Sequence, residues 1–221
     1  MSAPLRLGPD RPRAAIIVVH AGASGLVERL RFLGLPDDAF PRDALFLYER
    51  DPSTWKAPGN PVHVADARRA IEQGLAEGVP TAVVSWSGGC VAAARAINEI
   101  GAERVALFVD VEGPVDRFSL VPPGRDMPEW RGLSPFDEAP WAGRELVRLL
   151  PGCPYLRVQG RPDHVHGDCL VHADRIMQVA TTRCAWSRRL DLAGRVENGG
   201  REVVDGLDRA LRELPYPTGS R

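Results

Sequence analysis

Short apolar runs rich in Val, Ile, Leu and Phe recur along this chain, and stretches of helix length separate them. Residues 14–20 read AAIIVVH, a β-branched run with no polar alternation, which is the character of a parallel strand buried on both faces. Residues 44–48 (ALFLY), 81–84, 104–111 (RVALFVDV), 155–159 and 184–192 have the same character. Between them lie expected helices at 26–33, 60–78, 90–100, 144–150, 172–180 and 202–214. Asn60 and Pro61 open the second of these and Gly78 closes it, while Gly101 ends the alanine-rich third. Strands that alternate with helices specify a three-layer α/β sandwich, a mostly parallel sheet of about six strands with helices on both faces.

One stretch breaks the rhythm. Residues 112–142 hold six of the 20 prolines and two of the five tryptophans, with little periodicity. Such a segment inside one domain is read as a lid or pocket loop, the alternative being a plain surface excursion. No repeat or linker divides the chain, so residues 1–221 are expected to form a single domain.

Charge and cysteine usage narrow the function classes. Lys and Arg total 28 against 29 acidic residues, a net charge of -1, which supplies no field for nucleic acid or an acidic membrane surface. The expected partner is a small-molecule or peptide-like substrate, with oligomeric state left open. Cys90, Cys153, Cys169 and Cys184 have no ligand-like spacing, and no His pair has the spacing of a metal motif. Neither a metal nor another cofactor is expected. The N-terminus has no apolar leader and no run reaches membrane-spanning length, so the expected location is the cytoplasm.

The sharpest motif is residues 83–90, Val-Val-Ser-Trp-Ser-Gly-Gly-Cys. It has the form small-x-Ser-x-Gly, placed between an apolar strand and an alanine-rich helix, which is the setting of a nucleophile elbow. Such a turn forces Ser87 into strained torsions and brings its neighbours at minus two and plus two close together, so only small residues such as Ser85 and Gly89 fit. The alternative is an ordinary glycine-rich turn of a phosphate-binding fold. G-x-G-x-x-G after the first strand and G-x-x-x-x-G-K-[ST] are both absent, which favours the elbow.

With this motif the chain resembles the α/β-hydrolase superfamily over roughly residues 14–215, most closely small members such as dienelactone hydrolases and the catalytic domain of prolyl-oligopeptidase-type peptidases. His20-Ala21-Gly22-Ala23 is similar to the family's loop after the first strand. The resemblance then implies an oxyanion hole made by the N–H of Gly88 and that of Ala21 or Gly22, with His20 shaping the loop. Gly160-Arg161-Pro162-Asp163 resembles the family's G-x-x-D, which makes Asp163 the implied triad acid, against the reading of an ordinary turn aspartate.

The family's base is a histidine some thirty-odd residues past the acid, and here no histidine follows His172. Asn198 stands nearest its place, about 35 residues past Asp163, and an amide is no base. Three explanations compete. His164 or His166 can serve as base, with Asp110 or Glu112 as its carboxylate and Asp163, which adjoins His164, assisting; Asp110 and Glu112, at i and i+2 of a strand, are expected on one face at its carboxyl end. Alternatively the histidine has been lost, leaving a protein that binds a small ligand or acts as a lyase or isomerase. A third explanation is an engineered His-to-Asn change. His63 and His172 are read as structural. The first explanation gives a serine hydrolase acting on an ester, thioester or peptide-like acyl bond, with Ser87 as nucleophile. Trp86, Trp130 and Trp141 either line its pocket or pack in the core.

Overall fold

A computed structural model of the chain describes residues 4–20, 39–48, 61–115, 146–161 and 170–214. Seven strands form one sheet: β1 (Leu5–Leu7), β2 (Ala15–Val19), β3 (Ala44–Leu47), β4 (Thr81–Trp86), β5 (Leu107–Val111), β6 (Tyr155–Gln159) and β7 (Ser187–Asp191). Their order across the sheet is β1-β3-β2-β4-β5-β6-β7, and every neighbouring pair is parallel except β1 with β3. The helices are α1 (Pro61–Leu75), α2 (Gly89–Ile100), α3 (Leu146–Leu149), α4 (Leu170–Arg183) and α5 (Gly200–Glu213).

Each central strand buries both of its faces, which is why the runs lack alternation. Ile17, Val19, Phe46, Val83, Phe108 and Tyr155 point to one side, where Ile71 of α1, Ile97 of α2, Leu146 of α3 and Ile176 of α4 cover them. Ile16, Val18, Leu45, Val84, Val109 and Val158 point to the other, under Val203, Leu207 and Leu211 of α5. Complete burial of one such aliphatic side chain contributes roughly 1.5–3 kcal/mol. The two cores fix the alternation of every strand, since a one-residue slip would exchange the two sets.

The strands differ from the sequence reading in number and in their bounds. Among the described residues there are seven strands, against about six expected. The additional one, β1, is a three-residue edge whose Leu5 and Leu7 are exposed, and Arg6 ties it to the end of α1 through Glu77 (Nε to Oε1, 2.6 Å). The β4 run continues past Val84 to Trp86, because Ser85 and Trp86 still pair with Asp110 and Val111. The expected strands at 104–111 and 184–192 shorten to 107–111 and 187–191, a 3-10 turn at Ala102–Arg104 taking up the first residue of the former.

Residues 112–115, the start of the expected lid, are buried and packed. Leu146 and Val147 of α3 donate their N–H groups to the carbonyls of Pro114 and Val115. The rest of that segment, residues 116–142, lies outside the described residues, as does the expected helix at 26–33. Among the described residues no helix is long and apolar enough to cross a membrane.

Candidate active site

From β2 the chain passes to β3 on one side, and β4 then lies on the other side of β2. The carboxyl ends of β2 and β4 therefore flank a topological switch point, where open parallel sheets form ligand crevices. Val19 ends β2, with His20 after it, and Trp86 ends β4, with Ser87 after it. The sequence motif thus stands at that switch point.

Ser87 has a φ of 50°, a left-handed backbone uncommon for a residue with a side chain. Its N–H donates to Val111 O of the neighbouring strand at 2.9 Å, and its carbonyl accepts from Cys90 N–H at 3.0 Å, which starts α2. Gly88 precedes the helix with φ -58° and ψ -19°, and no side chain caps it. The first-turn N–H groups of α2 thus follow directly on Ser87, an arrangement that favours negative charge at that end.

The small neighbours have separate reasons. Ser85 is fully buried and donates its hydroxyl to Val109 O at 3.2 Å. A Cβ on Gly89 would collide with the Val19 carbonyl and lie 3.0 Å from the His20 carbonyl carbon. The glycine two residues past Ser87 is therefore demanded by β2, the next strand over, as well as by the turn itself. His20 is 5% exposed and stacks on Trp86, their ring centroids 5.1 Å apart and their planes 29° from parallel. Trp86 is itself buried among the side chains of the second core. His63, at the start of α1, is fully buried with its ring tilted against Tyr48 at 6.1 Å.

A second strained residue follows β5, the strand beside β4. Glu112 has a φ of 52°; with Ser87 it makes up the non-glycine residues of positive φ among those described. Trp86 pairs with Val111 in register, so Ser87 and Glu112 each leave the sheet one residue later, at the same level. Backbone strain of this kind costs on the order of 1–3 kcal/mol per residue and gathers at functional sites. Glu112 is 1% exposed, and its Oε1 accepts from Gly160 N–H at 2.9 Å.

The expectation that Asp110 and Glu112 share one face is corrected by this turn. The left-handed backbone of Glu112 takes it out of the strand, and the Asp110 side chain is bound below. Asp110 Oδ2 accepts from Tyr155 Oη at 2.6 Å and Arg157 Nη1 at 2.8 Å, and Oδ1 accepts from Gly113 N–H at 2.8 Å. Asp110, Tyr155 and Arg157 are all fully buried. Burial, then the Asp110 carboxylate, push the Tyr155 hydroxyl well above its usual pKa, so it remains a donor. The same two causes raise the Cys90 thiol, which lies against the carbonyl of Val111.

The loop after β7, where the family resemblance calls for a histidine, runs close to Glu112. Arg161 N–H donates to Gly194 O at 2.8 Å, and a Cβ on Gly160 would lie 2.6 Å from Glu112 Oε1 and 2.9 Å from Val196 N. Asn198 closes a 3-10 turn in this loop (Val196–Asn198), and it is exposed. Ala21, Gly22, Asp163, His164 and His166 lie outside the described residues, so the geometry bears on Ser87, Gly88, Glu112 and Asn198 alone.

The sequence reading passed over Arg157. Its signal was present, since Tyr155, Arg157 and Gln159 set polar groups on alternate positions of a strand whose other face is apolar. An unmatched arginine there requires a buried acid in the adjacent strand, and Asp110 is its register partner.

No family model and no curated protein matches the chain. Solved structures do. A metagenome-derived lipolytic enzyme from the work on LipS and LipT superposes with a TM-score of 0.65 at 14% identity, covering 95% of this chain and 97% of that one. An esterase of Pyrococcus furiosus gives 0.66 at 11%, covering 93% and 85%. A bacterial heroin esterase gives 0.64 at 17%, covering 95% and 80%.

Proposed function

We propose, from the premise that the chain has the α/β-hydrolase fold of those structures, that it is a serine hydrolase cleaving an acyl bond through an acyl-enzyme on Ser87. The observation that carries this is the left-handed serine at the end of the central strand, directly before α2. Esterase and lipolytic activity in the similar structures supports an ester among the candidate acyl groups, ahead of a thioester or peptide-like bond.

In this reading Ser87 Oγ attacks the acyl carbon while His164 or His166 takes its proton. The same imidazole then passes that proton to the leaving group. Glu112 or Asp163 orients the imidazole and stabilises its charged form. The N–H groups of Gly88 and of Ala21 or Gly22 hold the oxyanion, each worth about 100-fold in turnover. Water then releases the acid and restores the serine.

A fluorophosphonate probe followed by peptide mapping tests the proposal. The native chain should be labelled on Ser87, and Ser87→Ala should lose both label and esterase activity while keeping its fold. A label on another residue, or none, overturns it. Changing His164 and His166 to alanine in turn identifies the base, and undiminished hydrolysis in both variants rules out that assignment. Asn198, exposed in the loop that should bear the histidine, favours a second reading in which the crevice binds a small ligand or supports lyase or isomerase chemistry. Absence of hydrolysis in the native chain selects that reading.

A further inference from the structure

The interior of the sheet holds a full charge pair. Arg157 and Asp110 are both fully buried, with Nη1 and Oδ2 2.8 Å apart. Removing two such ions from water costs several kcal/mol each, and apolar residues of similar volume often pack at least as stably. An apolar pair lacks direction, however, and here the directions converge on one turn.

Arg157 Nη1 also donates to Gly113 O at 3.0 Å, while Asp110 Oδ1 accepts from Gly113 N–H. Both backbone polar groups of Gly113 are thus bound by the pair. A Cβ on Gly113 would lie 2.5 Å from Asp110 Oδ1 and 2.6 Å from Cys90 Cβ and Leu146 Cδ1, so the turn is clamped sterically too. From the same guanidinium, Nε (3.2 Å) and Nη2 (2.7 Å) donate to Gln159 Oε1. Gln159 Nε2 lies 3.4 Å from Gly160 O, and Gly160 N–H donates to Glu112 Oε1. The bonds run from the 110–113 turn through β6 and back to the strained residue within that turn.

We infer that Arg157 is a positioning residue: through Asp110, Gly113 and Gln159 it holds the backbone of Glu112 and of Gly160, the residue after β6, in fixed register with Ser87. This rests on the reading of Ser87 as nucleophile. Among the described residues its bonds go to Asp110, Gly113 and Gln159, so it acts on Ser87 and Glu112 through the 110–113 turn and the end of β6.

The test uses the full chain and the double variant Asp110→Leu/Arg157→Met, which removes both charges and leaves neither stranded. Turnover of p-nitrophenyl butyrate, the rate of fluorophosphonate labelling and backbone amide exchange are measured against the native chain. The double variant should fold, lose about 10- to 100-fold in kcat with KM nearly unchanged, and label more slowly by a similar factor. Exchange at Gly113 and Gly160 should accelerate at least about tenfold while Val83 and Phe108 stay protected. Arg157→Lys keeps the charge without the fork. It should retain the fold, recover only part of kcat, and serve for the same readouts if the double variant fails to fold. Native kcat, labelling and exchange in a folded variant overturn the inference and leave the serine hydrolase standing. A native chain that neither labels nor turns over sinks the hydrolase reading, while exchange at Gly113 and Gly160 still decides whether the pair holds the turn.

Discussion

A left-handed residue with a Cβ is costly, on the order of 1–2 kcal/mol, and this chain keeps two of them side by side. Glycine would relieve either. Ser87→Gly should therefore unfold at a higher urea concentration than Ser87→Ala, by roughly 1 kcal/mol in extrapolated stability, with both variants inactive. Equal midpoints would show that the turn stores no strain. The residue two positions later obeys the opposite rule. Gly89→Ala drives a methyl into the Val19 carbonyl and should destabilise by about 1–3 kcal/mol, read from the shift in urea midpoint at constant m-value. The motif Ser-x-Ser-Gly-Gly announced both positions. The Glu112 turn could not be foreseen in the same way, because its carboxylate is bound by Gly160 and the glycine after it by Arg157, both far along the chain.

At the scale of elements, the strands were legible wherever burial on both faces made the pattern continuous. Residues 155–159 and the cores of β2, β3 and β5 stand where the apolar runs predict. The β1 edge was illegible for the converse reason: Leu-Arg-Leu is too short and too exposed to differ from an ordinary N-terminal segment. The β4 boundary was misplaced because Ser85 reads as polar, although its hydroxyl is satisfied inside the sheet by Val109 O. Arg13 shows how little such a pattern reveals of the ties between layers. Its guanidinium bonds both oxygens of the buried Asp43 (3.1 and 3.0 Å) and reaches Asp208 of α5 at 2.6 Å. Arg13→Ala strands the Asp43 carboxylate and should cost roughly 1–3 kcal/mol, whereas Asp208→Ala, which removes a half-buried partner at the surface, should cost under about 1 kcal/mol. Chemical denaturation of the two variants separates these values.

For the molecule as a whole, buried thiols predict how stability responds to base. Burial, reinforced by the neighbouring Cys184, pushes Cys153 up to about 12. Burial raises Cys184 to about 11, against the opposing effect of Arg183. The unfolded chain releases these protons near the ordinary thiol value of 9.0, while the folded chain retains them. Their contribution to stability is therefore complete below about pH 9 and is lost as pH rises toward about 12. Urea titrations across that range should show a decline that Cys153→Ala/Cys184→Ala reduces, and both native thiols should resist a soluble alkylating agent at neutral pH.

The elbow is held from outside itself: β2 presses on Gly89, and β5 receives the Ser87 amide. Neither contact is local, since Val19 and Val111 are brought to β4 only when three strands distant in sequence have aligned. If Ser87 is the nucleophile proposed above, a refolding chain cannot acquire its reactivity early, in an isolated strand–helix fragment. In a stopped-flow experiment, competence toward the probe should emerge in step with the slow global phase and lag any burst of helical signal. On the proposed hydrolase reading, the hydroxyl then doubles as a clock for sheet assembly.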